Sequence, residues 1–210
     1  MNSSLDTSLT RSLATESLSE LLGNVSETAL DSVIESGALR DIPIIGLITG
    51  TLKTARDIKS VIFLRKVTIF LKNLAHITDK ERRLFVDKFD SDEKQHEFGQ
   101  SILMILDHVE DLTKPKLIAR IVSAHIQNNI DFPKTMRICA IISRCYTEDL
   151  NLLHHFNEGM QGEFTPIAES LLSVGLLSNA GIDGGNIDGD SGGVHYVINE
   201  YGRLLVKYGL

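Results

Sequence analysis

Cys139, Cys145, His154 and His155 are of types that bind transition metals. Zinc ligands usually come in pairs two to four positions apart. The two cysteines are six apart and, on a helix, face different sides, so their spacing predicts buried thiols and no metal. His76, His96, His108 and His125 are scattered, with no nucleophile or carboxylate at a recognisable catalytic spacing. The stretch Asp183-Gly184-Gly185-Asn186-Ile187-Asp188-Gly189-Asp190 alternates oxygen donors with glycine, which suits Ca²⁺. Counted from Asp183, its twelfth position is Val194, where a helix–loop–helix calcium site needs a bidentate Glu. The stretch therefore reads as a solvated Gly/Asp turn. The sequence has no phosphate-cradling Gly-Lys-Ser/Thr loop, dinucleotide fingerprint or His-Glu-x-x-His pair. No cofactor, metal or catalytic residue is expected.

Gly189-Asp190-Ser191-Gly192-Gly193 spells the nucleophile motif of chymotrypsin-like serine proteases. In that setting the glycines free backbone amides for an oxyanion hole, and a distant His and Asp activate the Ser. Two β-barrels must surround such a serine. This chain is mostly helical in pattern, and only 17 residues follow Gly193. The motif reads as a loop tip.

Those loop residues belong to the most lopsided part of the charge distribution. The 210 residues carry 21 Lys+Arg and 28 Asp+Glu, a net charge of −7. Residues 145–202 contain nine acids and no Lys or Arg, so the excess lies in the C-terminal third. Residues 40–74 lean the other way, with Arg40, Lys53, Arg56, Lys59, Arg65, Lys66 and Lys72 against Asp41 and Asp57. Ordinary hydrophobic content (42%) argues against global disorder, and two cysteines cannot build a disulfide framework. Met1–Leu22 lacks the continuous apolar core of a secretory signal. A cytoplasmic location is expected, with peripheral contact at an inner membrane as an extension of it.

That extension rests on Ile42–Leu52, eleven residues without a charge. Gly46 and Gly50, four apart, would let a second helix backbone approach closely. Eleven residues give about 16 Å of helix, about half of a bilayer core, so a full span is not expected. Two readings stay open. Either this is a core or oligomer helix, or Ile42, Ile45, Gly46, Gly50, Lys53, Arg56 and Lys59 contact a partner or an anionic membrane surface.

The elements that would carry these residues are mainly helical. Residues 1–12 are polar and read as a flexible N-terminus. Leu13–Leu22 and Ala29–Leu39 read as short helices, and Ile44–Leu74 as one long basic amphipathic helix with room for a bend near Gly50. Thr78-Asp79-Lys80-Glu81 is a capping box, repeated at Asp90-Ser91-Asp92-Glu93. Thr113 and Pro115 open another helix, and Asn128-Asn129 stop it. Asp131 and Pro133 start the next, and Thr147 caps a further one. Thr165-Pro166 starts a helix ended by Gly175-Leu176-Leu177, and Asn179–Gly193 reads as a loop. Val194–Ile198 is a strand, and Asn199 caps a last helix. The expected fold is a mainly α helical bundle with a C-terminal winged-helix-like module built on a short β-hairpin. Its divisions fall at residues 1–12, at 13–130, which holds the basic amphipathic helix 42–74, and at 131–210. The helix in the recognition position offers only Glu169 as a charge, and the wing offers Asp183, Asp188 and Asp190. DNA affinity comes largely from Lys and Arg on phosphates, so this acidic wing predicts a protein partner instead.

Asp41-Ile42-Pro43-Ile44-Ile45-Gly46, Phe63-Leu64-Arg65-Lys66, Glu81-Arg82-Arg83-Leu84-Phe85 and Tyr201-Gly202-Arg203-Leu204-Leu205 resemble stretches of an uncharacterised bacterial helical family. The order of parts is similar to that of abortive-infection alpha-type proteins: an apolar helical stretch, a bundle, then a winged-helix-like end. Gly175-Leu176 and Tyr196–Gly202 match that end, with Asn199 in place of its usual Thr. The resemblance implies a bacterial or mobile-element protein with a role in phage resistance. It implies no catalytic residue. The expectation is a non-enzymatic interaction protein, with a transcriptional regulator and a soluble oligomeric scaffold as alternatives.

Overall fold

The computed structural model describes residues 5–16, 18–26, 28–51, 58–157, 165–184 and 193–210. These are mainly helical, with one two-stranded antiparallel sheet near the C-terminus. Contacts divide the chain into two compact units, residues 1–132 and 133–210.

The first unit contains α1 (Leu5–Leu13), α2 (Leu18–Leu22), α3 (Leu30–Ser36), α4 (Pro43–Thr51), α5 (Ile58–Leu74), α6 (Asp79–Val86), α7 (Asp92–His108) and α8 (Lys114–Ile126). Helix α1 corrects the expectation of a frayed start. Leu9 and Leu13, one helical repeat apart, are fully buried, and α1 packs on α4 and α7. Its polar residues are satisfied inside the core. Ser12 Oγ donates to the Ser8 carbonyl (2.7 Å) and accepts the Ile44 amide (3.0 Å), while Thr10 Oγ1 donates to the Gln95 carbonyl (3.0 Å). A composition that looks solvated is thus compatible with a buried helix, because the Thr10 and Ser12 hydroxyls find carbonyls and an amide.

The long helix expected over residues 44–74 is two helices, α4 and α5. They pack on each other, which one straight helix cannot do. Helix α5 also packs on α7 and α8, burying Leu64, Val67, Phe70, Leu71 and Leu74. The Thr78–Glu81 capping box forms as expected and starts α6. Ser91 caps α7 through the Lys94 amide. Helix α8 is opened differently: Asp111 Oδ1, not Thr113, accepts the amides of Thr113 (2.7 Å) and Lys114 (3.0 Å). Asn128, at φ 61°, turns the chain out of that helix in the left-handed region that Asn tolerates better than most residues.

Helix α9 (Phe132–Arg144), whose first residue still belongs to the first unit, leads into the second, followed by α10 (Thr147–Asn151) and a 3₁₀ turn (Leu153–Asn157). Then come α11 (Thr165–Val174), β1 (Leu177–Asp183), β2 (Gly193–Ile198) and α12 (Glu200–Tyr208). Strand β1 extends into what the composition marks as loop. It pairs from Leu177 opposite Ile198 to Asp183 opposite Gly193, with a register shift between Asn179 and Gly181. Gly181, at φ 131°, supplies a backbone conformation that a side chain would strain. Asn199 fixes the base of the hairpin. Its Oδ1 accepts the Gly202 amide (3.0 Å), and its Nδ2 donates to the Gly175 (2.8 Å) and Leu177 (3.2 Å) carbonyls.

Candidate functional site

The residues expected to meet a partner or membrane part company in the structure. Ile42 and Ile45 lie in the core, 0% and 1% exposed, so the apolar half of that surface is replaced by packing. Gly46 fits tightly against its own chain: an added Cβ would lie 2.4 Å from the Arg40 carbonyl oxygen. Gly50 is exposed, with nothing within 4 Å of such a Cβ. The two glycines therefore do not form a shared seat for another described helix. Lys53 and Arg56 lie outside the described residues, and Lys59 is exposed on the first turn of α5. Beside Lys59, Ile58 (72% exposed), Val61 and Ile62 form an apolar patch at i, i+3, i+4.

The basic character of residues 40–74 thins once folded. Lys66 is buried and its ammonium donates to the Asp107 carbonyl (3.0 Å), while Arg65 pairs with Asp31 (3.2 Å). In the acidic module, Asp183 ends β1, whereas Asp188 and Asp190 lie outside the described residues.

The candidate nucleophiles and metal ligands are engaged otherwise. Cys139 and Cys145 are buried and not joined in a disulfide, and burial pushes the Cys139 thiol up to about 12. No group of three or more His, Cys, Asp or Glu able to hold a metal ion occurs among the described residues. His76 has a serine neighbour that spacing could not reveal. Its Nδ1 donates to the Asn73 carbonyl (2.7 Å), which leaves Nε2 to accept from Ser123 Oγ (3.2 Å). This is a base–hydroxyl contact without an oxyanion site. Ser123 is buried on α8, whose amides are committed to the helix ladder. The pair ties the end of α5 to α8.

The feature that sequence reasoning missed is an aromatic cleft of about 410 Å³ within the first unit. Phe85 from α6, Phe89 after it, Phe98 from α7, His125 from α8 and Phe132 line it. Phe85 is the centre of the cluster, with ring centroids 5.2 Å from Phe89, 5.3 Å from Phe98 and 5.4 Å from His125, all edge to face. Phe132 closes the row at 5.7 Å from His125 and 6.2 Å from Phe98. These separations are the favoured ones for aromatic pairs. His125 is held by Nδ1, which donates to the Ile130 carbonyl (2.8 Å). At the rim, Lys88 Nζ donates to Asn128 Oδ1 (2.7 Å), Lys94 pairs with Asp90, and Glu97 stands alongside. One signal was present in the sequence: Phe85 and Phe89 are four apart, and Phe89 lies nine before Phe98. It is also the signal of an ordinary core, and only the fold shows that the cluster borders a cleft.

Comparison of the chain with protein-family models, with curated proteins and with solved structures finds no match in any of the three. No described helix is long and apolar enough to cross a membrane.

Proposed function

We propose that this chain is a non-enzymatic interaction protein of phage-resistance type, which docks an acidic protein surface through the start of α5. The observation that carries this is the exposed Ile58, Val61 and Ile62 patch with Lys59 within it. Three apolar side chains on one helical face, beside a cation, suit a partner with an apolar centre and an acidic rim.

A membrane is the less favoured occupant. A helix that lies in a lipid interface needs its apolar face free. Helix α4 buries Ile44, Ile45 and Ile48 and α5 buries Leu64, Val67 and Phe70, so only the first turns of α5 keep apolar side chains exposed, a short face for a lipid interface. The phage-resistance part rests on the resemblance to abortive-infection alpha-type proteins, and the winged-helix-like reading of α11, the hairpin and α12 rests on the order of those elements.

The test is expression in a bacterial host challenged with a panel of phages. Plaque counts should fall with the native chain and recover with the Ile58→Glu, Ile62→Glu double variant, whose fold is checked by circular dichroism. Unchanged plaque counts with the native chain, or protection that survives the double variant, would overturn the reading. Co-sedimentation with anionic but not neutral vesicles would reassign the patch to lipid.

A further inference from the structure

We propose that the aromatic cleft of the first unit binds a small planar aromatic carboxylate. This goes beyond the docking function above and uses different residues. The cleft, at about 410 Å³, falls within the size range of small-molecule sites. Phe85 packs edge to face on Phe89, Phe98 and His125, and Phe132 lies tilted against Phe98 and His125, so an inserted flat ring adds one more ring contact to a cluster that already exists.

The polar groups give the ligand a direction. Lys88 and Asn128 both line the cleft and are joined by a hydrogen bond. An ammonium has three donors and a primary amide two, so this pair retains donors for a carboxylate. At another point on the rim the charges differ. Lys94 is neutralised by Asp90, and Glu97 repels an anion. The carboxylate therefore faces Lys88 and Asn128, and the ring lies against Phe85, Phe98 and Phe132. Asn128 is held for this role by its place in the fold. Its backbone leaves α8 at φ 61°, with its amide bonded to the His125 carbonyl (2.9 Å). His125 Nδ1 is engaged by Ile130, which leaves the other ring nitrogen to meet a donor on the ligand.

The experiment titrates the full chain with three probes of one shape and different charge: 2-naphthoate, 2-naphthylmethanol and 2-naphthylmethylammonium. The chain has no tryptophan, so naphthyl emission is read directly. The expected result is saturable binding of one naphthoate per chain, about threefold or more tighter than the alcohol, with the ammonium weakest. Lys88→Met should bring naphthoate down to the affinity of the alcohol. Phe132→Ala should weaken naphthoate and alcohol together, because it removes ring contact and leaves the charge. Ile58→Glu should change neither, which separates this site from the docking patch. Lack of saturable binding, equal affinity for the three probes, a preference for the ammonium, or naphthoate affinity indifferent to both cleft variants would overturn the proposal. The probe comparison on the native chain stands even if a variant fails to fold.

Discussion

Arg82 is a fully buried side chain held by several partners at once. It is 0% exposed, and its guanidinium donates to the carbonyls of Leu13 (2.9 Å), Thr15 (3.4 Å) and Ile77, to Ser19 Oγ (3.2 Å) and to Asp79. It thereby closes the C-terminal end of α1, where backbone acceptors would otherwise be orphaned in the core. Lys cannot replace this planar fork of five donors. Arg82→Met should lower stability by about 3–5 kcal/mol, measured by urea unfolding, because the carbonyls stay buried and lose their donors. A loss below about 1 kcal/mol, the net worth of one ordinary hydrogen bond, would show that water replaces the guanidinium. Cys139 makes a different prediction. Burial raises its thiol from 9.0 to about 12, so folding favours the protonated form. Its contribution is fully present below pH 9 and is lost as pH rises through 12. Unfolding curves for the native chain and Cys139→Ala should therefore run parallel up to about pH 9 and converge above it. Parallel curves throughout would mean that the thiol ionises as freely folded as unfolded.

At the scale of elements, the tightest glycine contact between described helices is not at the glycine pair that spacing singles out. It lies at Gly99 of α7, where an added Cβ would come within 2.1 Å of the Asp6 carbonyl oxygen of α1. Asp6 also pairs with His96 (2.8 Å), one turn before Gly99. Gly99→Ala should lower stability by about 1–3 kcal/mol through overpacking and should deprotect α1 in hydrogen exchange. An unchanged exchange pattern would show that α1 has room to shift. Local chemistry explains which elements were legible in the sequence. The Thr78–Glu81 box, the Asn128 stop and the Val194–Ile198 strand depend on residues within a few positions of one another, and all three are in the structure. The buried α1 was not legible, because its serine and threonine bond to partners as distant as Gln95 and Ile44. The single helix expected over residues 44–74 was a failure of the same kind. Apolar periodicity continues through a stretch in which the chain forms two packed helices, and Gly50, where a bend was expected, lies next to the end of α4 without showing that the chain folds back. The aromatic cleft was the least legible, since Phe85, Phe98, His125 and Phe132 meet only after four helices have been placed.

For the molecule as a whole, the division into residues 1–132 and 133–210 gives each part a core of its own. Perturbations should then stay local. Gly99→Ala should raise exchange in α1 and α7 and leave β1 and β2 unchanged. Asn199→Ala removes a helix cap and two hairpin bonds, and it should do the reverse. Exchange that rises in both units for either variant would mean that they unfold as one. The aromatic inventory adds an optical consequence to this division. All four tyrosines, Tyr146, Tyr196, Tyr201 and Tyr208, belong to the second unit, and the chain has no tryptophan. Intrinsic emission above the phenylalanine band therefore comes from residues 133–210 alone, and the first unit is dark. A single Phe132→Trp substitution would light the cleft in a colour the rest of the chain does not share.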